Sequence, residues 1–230
     1  MGRDDERAPL GAGWNEVVTE VVEWARRLQA IAQTGLAYGE PTQYDRDRYA
    51  EVRRIAAEML AAGPNGAAAF DTVFAAEQGH ATPKLDVRGA VFRDDRILLV
   101  SELADGGRWT LPGGWADVGE SPSSAVEREV LEESGYRTRA VRLLALYDRS
   151  RHGHDRSSDG ERPHVWHTWK AFFLCELAGD ERAQLGSETS AAEFFAHGDL
   201  PELSVARVTP EQIERLFELR EHPEWPADFD

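Results

Sequence analysis

Five acids and one arginine fall within the fourteen residues from Glu120 to Glu133, and their order suits one surface of a helix. Ser121 is a good N-cap, Pro122 suits the first helical position, and Gly135 suits the stop. Between them Ala125, Val126, Val130 and Leu131 recur at roughly helical spacing. On such a helix Glu129 and Glu133 lie four apart and share a face, and Glu132 lies three from Glu129. Glu127 adds a further negative charge to the same two turns. Like charges this close weaken a helix unless something cationic binds. Hard oxygen ligands on one face, with room for water, suit magnesium, which keeps several waters and bridges to substrate phosphates. Manganese fits the same ligands. Arg128 can pair with Glu132, or with Glu120 from the preceding loop, and so orient the ligand helix. Ahead of it run Trp109, Thr110, Leu111, Pro112, Gly113 and Gly114, whose two glycines let the backbone turn sharply and approach a ligand closely.

The whole stretch reads Gly114, five residues, Glu120, seven residues, then Arg128-Glu129-Val130-Leu131-Glu132-Glu133-Ser134-Gly135-Tyr136. It resembles the Nudix box at every fixed position; Tyr136 stands where an aliphatic residue is more usual. The resemblance implies a metal-dependent pyrophosphohydrolase acting on a nucleoside diphosphate linked to another moiety, X. It also implies that a carbonyl near Gly113 completes the metal shell alongside Glu129, Glu132 and Glu133. Related enzymes place an extra carboxylate, as metal ligand or base, where this chain has GSETSAAEFF; Glu188, in the loop, is the better candidate there, and Glu193 reads as a strand surface residue. The strings WKAFFLCEL, LPELSVARVTPEQI and WPADFD are similar to a subgroup with a short helical N-terminal domain. Within that subgroup CDP-choline and ADP-ribose are the leading substrates.

Other residues could serve the substrate. Asp148 to Pro163 is a long polar stretch carrying Arg149, Arg151, His152, His154 and Arg156, a basic cluster in an acidic chain. It either grips phosphate or ribose or is a solvated loop. Trp115, right after the glycines, either stacks on a base or packs. Trp166 and Trp169, in a strand run, read as packing residues.

The elements that must hold these residues follow from hydropathy. Trp14, Val17, Val18, Val21, Trp24, Leu28 and Ile31 recur at helical spacing, Tyr49 to Leu60 gives a second helix, and Phe70, Val73 and Phe74 a third ending near Gly79. Gly63-Pro64-Asn65-Gly66 is a break. Residues 1–80 thus read as a small all-helical domain and 81–230 as the catalytic domain. In the latter, strands are expected at 87–92, 97–100, 109–111, 137–147, 165–177 and 191–195, and a last helix from Pro210 to Arg220 capped by Thr209. The class is α+β; by resemblance it is the Nudix α/β/α sandwich with a mixed sheet, plus the helical N-terminal domain.

The chain has 230 residues, 41% of them hydrophobic, so it can supply a packed core. A net charge of -16 argues against nucleic acid and anionic membrane as partners. A small phosphorylated substrate stays open, because bound metal inverts the local field. The lone Cys175 lies in an apolar run and reads as a buried strand residue. No signal peptide or membrane-length apolar segment is visible, which points to a cytoplasmic protein. The helical unit is small and carries an apolar stripe with Trp14 and Trp24. It either packs on its own catalytic domain or builds a homodimer. The reading is hydrolysis assisted by two or more magnesium ions; the alternative is a nucleotide-sensing regulator without turnover.

Overall fold

The computed structural model describes residues 12–38, 40–61, 67–154, 165–184 and 187–230. Arg156 and the break at Gly63 to Gly66 lie outside them, as do the side chains of Trp14, Val17 and Val18. Contacts divide the chain into two units. The first holds α1 (Ala12–Ala37), α2 (Gln43–Leu60) and α3 (Ala67–Ala76). The second begins at Pro83 and holds everything else described except Val165 and Trp166, which belong with the helices.

In the helical unit α1 buries Val22, Ala25, Gln29 and Ala32, and Val22 and Ala25 share a core with Ala56, Ala57 and Leu60 of α2 and Phe70 and Phe74 of α3. Small side chains let helix backbones approach closely. The stripe expected to be buried is therefore split: Trp24 is 48% exposed and Ile31 58% exposed. A segment read as the start of a strand also joins this core, since the Trp166 ring meets Phe74 edge-to-face at 6.1 Å. Thr42 starts α2 with a full capping box, its hydroxyl and the Asp45 carboxylate each taking the other's backbone N–H.

The second unit is a mixed sheet between helices. Its strands are β1 (Lys84–Arg93), β2 (Arg96–Glu102), β3 (Trp109–Thr110), β4 (Tyr136–Asp148), β5 (Thr168–Arg182), β6 (Thr189–Ala196) and β7 (Asp228–Phe229). The order is β3-β2-β1-β5-β4-β7, with β6 paired to β2. β1 and β5 run parallel, while β4 and β6 pair antiparallel to β5 and β2. Successive strand side chains point to opposite faces, so the apolar runs fill two cores. Val87, Val91, Leu98 and Val100 pack under α4 (Pro122–Ser134) through Ala125, Val126 and Val130. Ala90, Ile97, Leu99 and Phe172 pack under α5 (Pro210–Glu221) through Ile213, Leu216, Phe217 and Leu219. The α4 helix lies so close to β1 that a Cβ on Gly89 would fall 2.4 Å from a Val130 methyl. Cys175 is buried in the α4-side core, and Glu193 is exposed on β6. No strand was expected at the closing WPADFD; β7 pairs there with Ala145 and Leu146 of β4.

Candidate active site

The turn before α4 is stitched to β1. The N–H groups of Val87 and Gly89 donate to the carbonyls of Gly114 and Pro112, each at 2.8 Å. Gly113 sits between them at φ 146°, where a Cβ would fall 2.0 Å from the Val87 carbonyl oxygen, so glycine is required. Its own N–H points the other way and donates to Glu133 Oε2 at 2.8 Å. A side chain at position 114 would meet the Glu129 carboxylate at 3.0 Å. The two glycines thus place bare backbone against the two carboxylates that share a face of α4.

The helix is held as its sequence suggests. Ser121 Oγ accepts from Ser124 N–H at 3.1 Å and Gly135 closes the C-terminus in the left-handed conformation. Arg128 joins both partners expected for it and the Glu129 carboxylate besides. It donates to Glu120 through Nε and one terminal nitrogen, at 3.0 Å each, and through the other to Glu129 at 2.9 Å and Glu132 at 3.1 Å. Glu127 leaves the acidic face altogether, accepting from the Ala140 N–H of β4 at 2.8 Å. Glu132 stays exposed.

Among the acids of α4, burial is greatest at Glu133, which is 8% exposed. Burial pushes its carboxyl up to about 8, with Glu102 and Glu129 adding to the push and Arg88 and the Gly113 N–H opposing it. Burial also raises Glu129, against the pull of Arg128. Two carboxylates withdrawn from water, of which Arg128 pairs directly with Glu129 alone, are a place where a bound cation lowers the energy. The donors fit a hard divalent ion: carboxylates of Glu129 and Glu133, and a Gly113 carbonyl that β1 does not use. Among the described residues no three His, Cys, Asp or Glu side chains converge as they stand to hold a metal; Arg128 engages both Glu129 and Glu132.

The remaining expected site residues are scattered. The Glu188 side chain is exposed, while its carbonyl accepts from Leu103 N–H and the next residue, Thr189, donates to the Glu133 carbonyl at 2.7 Å. Its loop is tied to the end of α4, with the Glu188 side chain on the exposed side. Trp115 is 44% exposed beside Asp86, and its carbonyl accepts from Arg128. Arg149 is buried and donates to the Ala206 carbonyl at 3.3 Å. Arg151 is exposed. His152 stacks on Tyr147 and meets Asp230 at 2.9 Å. His154 is buried between the Val205 carbonyl and Gln212; burial, with Lys170 and Arg149 nearby, lowers it to about 3. The basic stretch is therefore not one cluster. Trp169, read as packing, is 45% exposed.

Four charged residues at or behind the site escaped the sequence reading. Glu102 is buried and pairs with Arg207 at 3.1 Å. Asp86 and Arg88 of β1 and Lys170 of β5 form a buried cluster. Burial works against the Asp86 anion, but Arg88 and Lys170 outweigh it and hold its carboxyl at about 2. A signal for three of these existed: Asp86, Arg88 and Lys170 are each charged at an alternate position of an apolar strand, in step with Ala90 or Phe172.

Residues 82–216 match the family model described as the NUDIX domain, and residues 19–69 match a UDP-X-like N-terminal oligomerisation domain. The chain is 42% identical over 216 residues to YjhB of Bacillus subtilis (strain 168), which bears the name ADP-ribose pyrophosphatase provisionally, covering 94% of this chain and 99% of that one. A solved ADP-ribose pyrophosphatase from Streptococcus suis is 40% identical with a TM-score of 0.56, over 65% of this chain and 100% of that one. A solved UDP-X diphosphatase is 32% identical with a TM-score of 0.56, over 93% of this chain and 99% of its own.

Proposed function

The chain belongs to the Nudix family of hydrolases, and from that premise we propose that it cleaves the pyrophosphate of a nucleoside diphosphate linked to X, giving a nucleoside monophosphate and X-phosphate. The carrying observation is the buried Glu133 carboxylate, gripped by the Gly113 N–H and set beside Glu129. A divalent cation there, magnesium or manganese, supplies neutralisation of the charge that builds on the phosphoryl oxygens. Glu129, Glu133 and the Gly113 carbonyl would hold it, with Glu132 as a further oxygen donor once it leaves Arg128. Arg128 orients these acids from the solvent side, and Gly113 keeps water-excluding backbone against Glu133. Glu188 serves as a base on a loop anchored to the end of α4 by Thr189.

ADP-ribose leads the substrates, since two of the relatives carry its name; a UDP-linked compound and CDP-choline follow. The half-exposed Trp115 stacks on the base, and Arg151 and His152, from the stretch after β4, meet the ribose or phosphates; Arg149 supports that stretch from within. The N-terminal helices join two copies into a dimer, which fits the oligomerisation domain they resemble and the exposed Trp24 and Ile31. Turnover of ADP-ribose, CDP-choline, UDP-glucose, NADH and dinucleoside polyphosphates with magnesium tests the activity. Monophosphate release from one of the first three supports it; binding without turnover across the panel overturns it in favour of a sensor.

A further inference from the structure

The buried ion cluster lies directly behind the turn that carries Gly113. Asp86 accepts from Arg88 with both oxygens, Oδ1 from Nε at 2.7 Å and Oδ2 from a terminal nitrogen at 3.1 Å. Lys170 Nζ reaches Oδ2 at 2.5 Å, from the β5 position in register with Asp86. The Arg88, Asp86 and Lys170 side chains are 6%, 10% and 1% exposed. Taking three charges out of water is costly, and well-packed apolar residues at such places are often no less stable. The cluster therefore calls for a role beyond holding the sheet together.

Its outlet supplies one. The remaining terminal nitrogen of Arg88 donates to the Leu111 carbonyl at 3.1 Å. The other ties of this turn to β1 are backbone bonds, at Pro112 and Gly114. Arg88 adds the side-chain grip, one residue before them. A guanidinium is a rigid planar fork, so fixing two of its nitrogens on Asp86 fixes the direction of the third. Two residues beyond Leu111, the Gly113 N–H meets Glu133.

We propose that Asp86, held from β5 by Lys170, is a positioning residue that aims Arg88 at the Leu111 carbonyl and thereby keeps the Gly113 peptide on Glu133. The proposal rests on the reading of Glu133 and Gly113 as the heart of the active site. Asp86 and Lys170 act through Arg88 and touch no substrate.

The test uses the full chain as Asp86→Asn, Arg88→Lys and the double variant. Lysine keeps the charge of Arg88 but lacks its fork. Three properties are read: amide exchange of the peptide containing Gly113 in metal-free protein, Mn2+ affinity by electron paramagnetic resonance, and kcat and KM on whichever panel substrate turns over. Each single variant should speed Gly113 exchange and weaken Mn2+ binding about tenfold, the lower end for losing a hydrogen bond to a charged group. The fall in activity should sit in kcat rather than KM. The double variant should match Arg88→Lys within about twofold, because Asp86 has nothing left to aim. A cluster that only stabilises the sheet would lower Tm and leave exchange, Mn2+ binding and kcat of the folded protein unchanged; that result, or additive effects in the double variant, overturns the proposal. Should Asp86→Asn not fold, Arg88→Lys decides alone: wild-type Gly113 exchange and Mn2+ affinity would sink it. A wild type that hydrolyses nothing removes the enzymatic reading, while the exchange and Mn2+ measurements still judge the positioning.

Discussion

Glu133 is the most buried acid of α4, and its partner is the backbone N–H of the Gly113 turn. If it holds the cation, Glu133→Gln keeps the bond from Gly113 and loses the charge. Turnover should then fall by at least on the order of 10²-fold, the scale of one strong electrostatic stabiliser. Near-normal kcat at saturating magnesium would remove Glu133 from the ligand set. His154 permits a prediction about pH. Its folded pKa, about 3, is depressed below the ordinary 6.5. Between those values the unfolded chain binds a proton that the folded one refuses, so stability is present above pH 6.5 and is lost as pH falls toward 3. His154→Gln stays neutral throughout. Urea unfolding of the variant should therefore fall off less steeply than wild type between pH 6.5 and 4.5; parallel curves would show that His154 is not buried neutral.

The element that matters most is α4, and its height above the sheet is set by a glycine. Gly89→Ala would push a methyl to 2.4 Å from Val130, a β-branched residue with little freedom to turn aside. The expected cost is about 1–3 kcal/mol, the usual range for overpacking. Because Glu129 and Glu133 ride on the same helix, activity should fall with it. Adding Val130→Ala makes room, so the double variant should recover much of the Tm and rate lost by Gly89→Ala. A fully stable, fully active Gly89→Ala would mean the helix is not seated as closely as described. The same element explains the fate of Glu127. It belongs to the acidic string in sequence, yet its carboxylate serves the Ala140 N–H beside a register shift in β4.

For the molecule as a whole, the helical unit carries the open question of assembly. Its internal core uses small residues of α1, leaving Trp24 and Ile31 outward on the same chain. A unit this small gains much by burying such side chains, and a two-fold contact is the commonest means. Light scattering on the intact chain should give twice 25.7 kDa, and deletion of residues 1–82 should give a monomer or an insoluble product. A monomer at micromolar concentration for the full chain would rule the dimer out and leave the catalytic reading standing. Among the described residues no helix is long and apolar enough to cross a membrane.

Read alone, the sequence already determined the α4 helix with its Ser121 cap and Gly135 stop, the shared face of Glu129 and Glu133, the pairing of Arg128 with Glu120 and Glu132, and the α+β class. Those features are local: a cap spans three residues, a helical face repeats every 3.6, and a strand alternates every two. The N-terminal stripe was legible as a helix but not as two lines, because which line is buried depends on α2 and α3. Lys170 and Asp86 lie 84 positions apart, and only the parallel register of β5 on β1 brings them together. Arg149 and His154, which the sequence offers as parts of a basic cluster that grips substrate or lies in a solvated loop, are buried against the 205–212 segment. The tertiary structure decided these because burial and charge pairing belong to whichever distant segment packs on a residue, and neighbours in the chain carry no record of it.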